Sequence, residues 1–252
     1  TSKDDPKDAH LLLDILTLHR GHLRRLDPDT VETRKLQILV EERRKLVDEQ
    51  TGHSNQLRAK LKLYYPQAVR WLGELTSALA GDFVNRWPTL PQLQRVRPKT
   101  IRDFFYQHNC RDKEWIEQRL EEIPQAVVAT EDAAVVEGSV AMVKALVAVL
   151  RVLRTHIAEF DRQIAAALAV HPDLAIVRSL PGAGEVMEPR LIAAMGTQRD
   201  RYPSACELAA MSGIAPVQQR SGQSCIVHFR WACPKFVRQT FHEWAGHTIA
   251  HS

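Results

Sequence analysis

Apolar residues recur every seven positions from Val136 through Val143, Leu150 and Ile157 to Ile164. Leu146, Leu153 and Phe160 each follow a member of that row by three. This a/d spacing predicts one long helix with a narrow apolar seam of about four heptads, closing near His171-Pro172. A second helix is predicted from about Asp29 to Leu63, with Leu36, Leu39, Leu46, Leu57 and Leu61 on a broad stripe. Asp27-Pro28-Asp29 supplies its start and Tyr65-Pro66 its stop. Arg43, Gln50 and His53 fall within that stripe, which predicts a polar or multi-helix partner. Two arrangements are open for the heptad seam: an antiparallel hairpin with the earlier helix, or a coiled coil between copies. The length of so narrow a seam favours the second, a role in oligomerisation.

Residues 66–128 mix short helices and turns, with Trp87-Pro88-Thr89-Leu90 and Arg97-Pro98-Lys99-Thr100 as loop and helix-start signals. From Asp173 onward short helices alternate with Gly/Pro turns, and strand character is confined to Cys225-Ile226-Val227-His228-Phe229. The expected fold is mostly α.

Charged residues make up 25% of the 252 and hydrophobic ones 44%, the balance of a globular protein able to bury a core. A net charge of +4 is too mild to name a partner by itself. Its distribution says more: Arg20, Arg24 and Arg25 cluster early, Arg86, Arg95, Arg97, Lys99 and Arg102 in the middle, and Arg199, Arg201, Arg220, Arg230, Lys235 and Arg238 late. Aromatic residues beside them, Trp87, Phe104, Phe105, Tyr106 and Trp231, suit contacts to nucleic-acid backbone and bases. Cys110, Cys206, Cys225 and Cys233 form no C-x-x-C pair, which argues against a zinc ribbon and for reduced thiols in a cytoplasmic protein. The most apolar stretch, Val135 to Val152, is interrupted by Glu137, Lys144 and Arg151, so no membrane span is expected.

Three local patterns carry candidate chemistry. Asp5 and Asp8 stand three apart at a helix start, where two carboxylates can face one metal ion or act as helix-start caps; Asp4 is an alternative to Asp5. Leu180-Pro181-Gly182-Ala183-Gly184 has the form of a helix-hairpin-helix turn, whose following N–H groups can meet a phosphate; a purely structural turn reads equally well. Arg220-Ser221-Gly222, after Gly213-Ile214-Ala215-Pro216, places a hydroxyl between a cation and a flexible residue, with Ser224 and Ser212 as weaker candidates. A fourth pattern, His242-Glu243-Trp244-Ala245-Gly246-His247, has one residue too many for a zincin helix: a spacing of five turns the two imidazoles about 140° apart.

These motifs resemble the insertion-sequence transposases with a DEDD-type, RuvC-like catalytic domain, relatives of the Piv-type DNA invertases and known as bridge-RNA-guided recombinases. The resemblance runs through Asp5-Pro6-Lys7-Asp8-Ala9, through Arg86-Trp87-Pro88-Thr89-Leu90 to Arg102-Asp103-Phe104-Phe105, and from Leu180 to the C-terminus. It implies Mg²⁺ held by Asp5 and Asp8 with further carboxylates, and Ser221 as a nucleophile that becomes joined to DNA. It further implies nucleic-acid contacts from Gly182, Gly184, Arg220, Arg230, Lys235 and Arg238. A structured noncoding guide RNA, DNA and homo-oligomerisation as dimer or tetramer are the partners it implies, in the cytoplasm and on the nucleoid when DNA is bound.

The family places an Asp and a Glu upstream of the Asp5/Asp8 pair, so the chain reads as a C-terminal fragment. On that reading residues 1–26 are the tail of a RuvC-like domain, 27–172 a helical and coiled-coil region, and 173–252 a small α-rich domain holding the serine. Glu188 stands where the hairpin motif and the family usually have alanine, a poor neighbour for DNA. The fragment alone is expected to be inactive. Two competing functions are a non-enzymatic helix-hairpin-helix DNA-binding protein dimerising through its coiled coil, and a coiled-coil adaptor without nucleic acid.

Overall fold

The structure, a computed structural model, describes residues 5–23 and 25–251, with the backbone alone for residues 250 and 251. Asp4, Arg24 and the His251 side chain therefore lie outside the described residues. The fold is mostly α with one two-stranded sheet. In chain order the helices are α1 (Asp5–Leu18), α2 (Val31–Tyr64), α3 (Pro66–Leu72), α4 (Ala78–Arg86), α5 (Leu90–Gln94), α6 (Pro98–Gln107), α7 (Lys113–Gln125) and α8 (Ala133–Ala169). There follow α9 (Leu174–Arg178), α10 (Met187–Met195), α11 (Ala205–Ser212), a hairpin of β1 (Val217–Ser221) and β2 (Ser224–His228), and α12 (Lys235–His251). The chain forms two compact units, one of residues 1–37 with 170–252, the other of residues 38–169.

The second unit is built around aromatic residues from short helices. Phe83 lies 5.2 Å from Trp87, and Trp87 lies 4.9 Å from Phe104, ring centre to ring centre. Trp71, Phe83 and Phe105 are almost fully enclosed, with Leu57 and Leu61 of α2 in the same core. Local signals set the ends of these helices: Ser77 caps α4 by accepting from the Ala80 N–H at 3.1 Å, and Pro98 occupies the first turn of α6. Trp87, Phe104 and Phe105 are thus core residues and cannot stack on bases. Of the aromatics expected to do so, Tyr106 and Trp231 stay exposed.

The heptad seam of α8 is buried inside the chain. Val143, Leu146, Val147, Leu150, Leu153, Ile157, Ile164 and Leu168 are all buried, the first four of them in the common core with Leu57 and Leu61. Asp82 of α4 accepts a hydrogen bond from Arg151 at 2.7 Å, and Arg43 of α2 pairs with Asp161 of α8. The polar stripe residue Arg43 therefore has its polar partner, and the seam is an intrachain one. The expectation of a seam between copies is corrected: its residues are buried within the chain, with α4 packed against α8 and Leu57 and Leu61 of α2 in the same core. A second correction concerns composition. Helix α8 is long and apolar enough to cross a membrane, with a mean hydropathy of 2.0 in its most apolar window. Charges at Glu137, Lys144 and Arg151 are offset by the alanines and valines on its outer face. Its buried row nonetheless belongs to the core of the second unit, a property shared by core helices of soluble proteins.

Candidate nucleic-acid interface

In the first unit, the segment before α2 is tied to the C-terminal block by polar contacts. The Asp29 carboxylate accepts from the N–H of Thr197 at 2.7 Å, from the Thr197 hydroxyl at 3.1 Å and from the N–H of Gln198 at 3.1 Å. Arg201 adds a hydrogen bond to Asp29 at 3.3 Å and another to the Asp27 carbonyl at 3.0 Å. Burial alone would raise the Asp29 carboxyl, but these donors outweigh it and hold the group below its ordinary value. Nearby, the Asp173 N–H donates to His171 Nδ1 at 3.2 Å, which leaves Nε2–H to donate to the Thr33 hydroxyl at 2.9 Å. Asp29 thus organises the 197–201 loop, although the sequence offers it as a helix-start residue. Arg199 is also engaged, 2.6 Å from Asp173, so two of the late cations serve the fold.

The Leu180-Pro181-Gly182-Ala183-Gly184 turn does join two helices, α9 and α10. Its tip is occupied by α12: the Trp244 indole N–H donates to the Pro181 carbonyl at 2.8 Å, and the Thr248 hydroxyl to the same oxygen at 3.2 Å. Gly182 has φ +71°, and a Cβ there would lie 2.9 Å from the Thr248 nitrogen. Close packing against α12 accounts for glycine at 182 without any phosphate, while Gly184 is exposed. Glu188 is buried and accepts from Arg178 of α9 at 3.1 Å, so it faces the helix pair and fastens it. Glu243, from the zincin-like pattern, pairs with buried Arg190. No cluster of three or more metal-ligating side chains occurs among the described residues.

Ser221 sits at the tip of the β hairpin. Residue pairs across the strands are Val217 with His228, Gln218 with Val227, Gln219 with Ile226, Arg220 with Cys225, and Ser221 with Ser224. The two-residue turn is Gly222-Gln223, and Gly222 has φ +61°. Glycine first in such a turn is the pattern of a type II′ hairpin, whose twist matches the strands. Polar β1 escaped the sequence reading because it lacks the β-branched residues that mark β2.

Strand geometry separates what the sequence places side by side. Successive side chains point to opposite faces, and directly paired residues share one. Ser221 therefore shares a face with Ser224, Gln219 and Ile226, whereas Arg220 shares the other with Cys225, Gln218 and Val227. Both faces are exposed over most of the hairpin. Ser212 is fully buried at the end of α11 and is unavailable to a large substrate. Arg230 and Lys235 are exposed, and Arg238 donates to the Arg230 carbonyl at 3.2 Å. No Asp or Glu occurs between Glu207 and Glu243. That acid-free stretch, which contains the 85% exposed Trp231, is a sequence signal that cation clusters alone understate.

Asp5 and Asp8 occupy the first turn of α1, both exposed, three residues apart and hence on neighbouring positions of one face. No α1 residue is buried; Leu12 and Leu16 are more than half exposed. Two carboxylates suit Mg²⁺ in kind but supply only part of its shell of oxygen ligands.

Comparison with known proteins places family character at both ends. A model of the IS116/IS110/IS902 transposase family matches residues 174–252, and a DEDD transposase model of the IS110 type matches residues 1–66. A Streptomyces coelicolor protein named "Mini-circle putative transposase for IS117" is 28% identical over 237 residues, 91% of this chain and 56% of its own length. The 43.6 kDa protein of insertion element IS110 from the same organism is also 28% identical, covering 88% of this chain and 55% of its own length. The 44.8 kDa protein of insertion element IS116 from Streptomyces clavuligerus shows 28% identity over 227 residues. This chain spans little more than half the length of these curated relatives. One transposase model matches residues 1–66 and the other residues 174–252, and similarity to the relatives runs through the stretch between them, so along most of its length this chain is similar to insertion-sequence transposases of the IS116/IS110/IS902 family.

Proposed function

We propose that this chain is the serine-bearing part of a DNA transposase that cuts and rejoins DNA strands, with Ser221 as nucleophile. The observation that carries the reading is the hairpin itself. It holds an exposed serine at a turn, within an acid-free, cation-bearing stretch, in the region matched by the family model. A phosphodiester approaches such an acid-free, cation-bearing stretch more favourably than a surface lined by carboxylates. In the step proposed, Ser221 Oγ forms a bond to phosphorus and one phosphorus–oxygen bond to deoxyribose breaks. The proton lost by the serine is balanced by the one the departing deoxyribose oxygen takes up. One phosphate ester replaces another, so rejoining needs no external energy source.

Asp5 and Asp8 are the residues of this chain that would help hold Mg²⁺, which when bound would orient the phosphate and stabilise charge on its oxygens. Their helix, with its leucines outward, fits the reading of residues 1–26 as the tail of a RuvC-like domain whose other elements would cover it. A structured guide RNA that selects the DNA, assembly into a homo-oligomer, and a cytoplasmic, nucleoid-bound location complete the proposal.

The alternative of a non-enzymatic helix-hairpin-helix protein that dimerises through a coiled coil has less support. Its turn is engaged by α12 and its seam is covered within the chain. The deciding test is a suicide DNA substrate with the intact transposase, followed by peptide mapping of the covalent adduct. An adduct on the Ser221 peptide, lost in Ser221→Ala while DNA binding persists, is expected. An adduct that survives Ser221→Ala, or that maps to Ser224, refutes the assignment.

A further inference from the structure

The separation of Arg220 from Ser221 on opposite faces of the hairpin leaves Arg220 without a role at the scissile phosphate. Its own face carries Gln218 beside it on β1, and Val227 and Cys225 across from them on β2. Gln218 and Arg220 are exposed, and Val227 is 58% exposed. No ion pair of the Arg220 guanidinium occurs among the described residues, and no acid lies between Glu207 and Glu243 to compete for it.

A two-stranded ribbon is the right width for the major groove of B-form DNA. A ribbon in that groove presents one face to the base edges. Arginine matches the paired acceptors of guanine, glutamine the donor and acceptor of adenine, and an apolar branched side chain the methyl of thymine. All three chemistries stand on the Arg220 face, in adjacent cross-strand positions. The Ser221 face has the short hydroxyls of Ser221 and Ser224 at its tip and carries no Lys or Arg on either strand. An A-form RNA duplex offers no equivalent, because its major groove is too deep and narrow for side chains to read.

We propose that the β1–β2 hairpin is a groove-reading ribbon for duplex DNA, with Gln218, Arg220 and Val227 as specificity-determining residues. This rests on the DNA-transposase reading and adds to it direct protein readout of bases beside the reaction site. The two faces divide the work: one reads, the other reacts.

The test uses this chain with short DNA duplexes randomised over their central base pairs, selected for binding and sequenced, with duplex RNA as competitor. Wild type should enrich a short motif containing guanine, and Arg220→Ala should flatten preference at that base by about 5-fold to 100-fold. Gln218→Ala should relax a neighbouring position, and Gln219→Ala, on the opposite face of β1, should leave the motif intact. If Arg220→Ala instead weakens all sequences equally and lowers the salt dependence of binding, Arg220 contacts phosphate and the ribbon proposal is overturned, while the transposase reading stands. Equal competition by duplex RNA overturns it in the same way. A wild-type chain that binds no duplex also overturns the ribbon proposal, while the transposase reading is judged separately by the covalent-adduct test. Circular dichroism of each variant confirms that a flattened motif does not come from a lost fold.

Discussion

Asp29 is the residue on which the most polar contacts converge, and it shows how a short side chain can act as a structural centre. Its side chain is only 10% exposed and answers two backbone N–H groups, a hydroxyl and a guanidinium. Asp29→Ala leaves those donors without their acceptor, and unfolding in urea should show a loss of about 2–4 kcal/mol. The pH dependence follows in sign. A carboxyl held below its unfolded value of about 3.9 contributes fully above that pH and loses its contribution as pH falls through the folded value. The stability gap between wild type and Asp29→Ala should therefore be constant near neutrality and narrow under acid, read from urea curves at stepped pH. Gly182 poses a sharper question. Gly182→Ala adds a methyl against the backbone of Thr248 at a left-handed φ, and should cost about 3 kcal/mol without any nucleic acid present. An unchanged melting temperature with weakened DNA binding would instead make Gly182 a phosphate contact.

At the scale of elements, the long helices and the runs of short ones were legible in the sequence and the polar strand β1 was not. The seven-residue row of α8 and the stop at Tyr65-Pro66 match the observed helices closely, because an apolar periodicity is repeated enough times to stand out. Which surface covers the row was not legible. Val143 and Leu150 look the same in sequence whether α2 and α4 of the same chain or another copy lies against them. Ser221 and Arg220 were found as residues, but their opposite orientation depends on a strand whose sequence, Val-Gln-Gln-Arg-Ser, carries no strand signal. Asp29 was read by its place before a helix, since a partner 168 residues away leaves no local trace. The intrachain seam changes what its mutation should do. Leu150→Ala should destabilise the second unit by about 2–5 kcal/mol, while Val149→Ser on the exposed face should change stability by less than about 0.5 kcal/mol. Thermal melts and light scattering together check this. A lower oligomeric mass for Leu150→Ala at unchanged stability would restore the seam between copies.

For the molecule as a whole, the mild net charge of +4 conceals a strong local imbalance, and binding should report the local one. If Arg220, Arg230 and Lys235 act through phosphate or base contacts, affinity for duplex DNA should fall steeply with salt. The slope of log affinity against log salt should become shallower by about one for each cation that contacts a phosphate and is replaced by glutamine. Fluorescence anisotropy across a salt series measures this. An affinity that is flat between low and physiological salt would place the contact elsewhere.

The Asp29 contacts also set an order for synthesis on the ribosome. Everything the second unit needs has been translated by residue 169, whereas the loop that Asp29 organises does not exist until residues 197–201 have emerged. Domains tend to fold as units while the chain grows, so residues 38–169 can be finished while residues 27–33 still wait for residues 197–201. Nascent chains arrested before Gln198 should expose the 27–33 segment to protease and protect residues 57–150. The hairpin with Ser221 follows the same loop in the sequence, so the proposed nucleophile is presented only after that loop has been made.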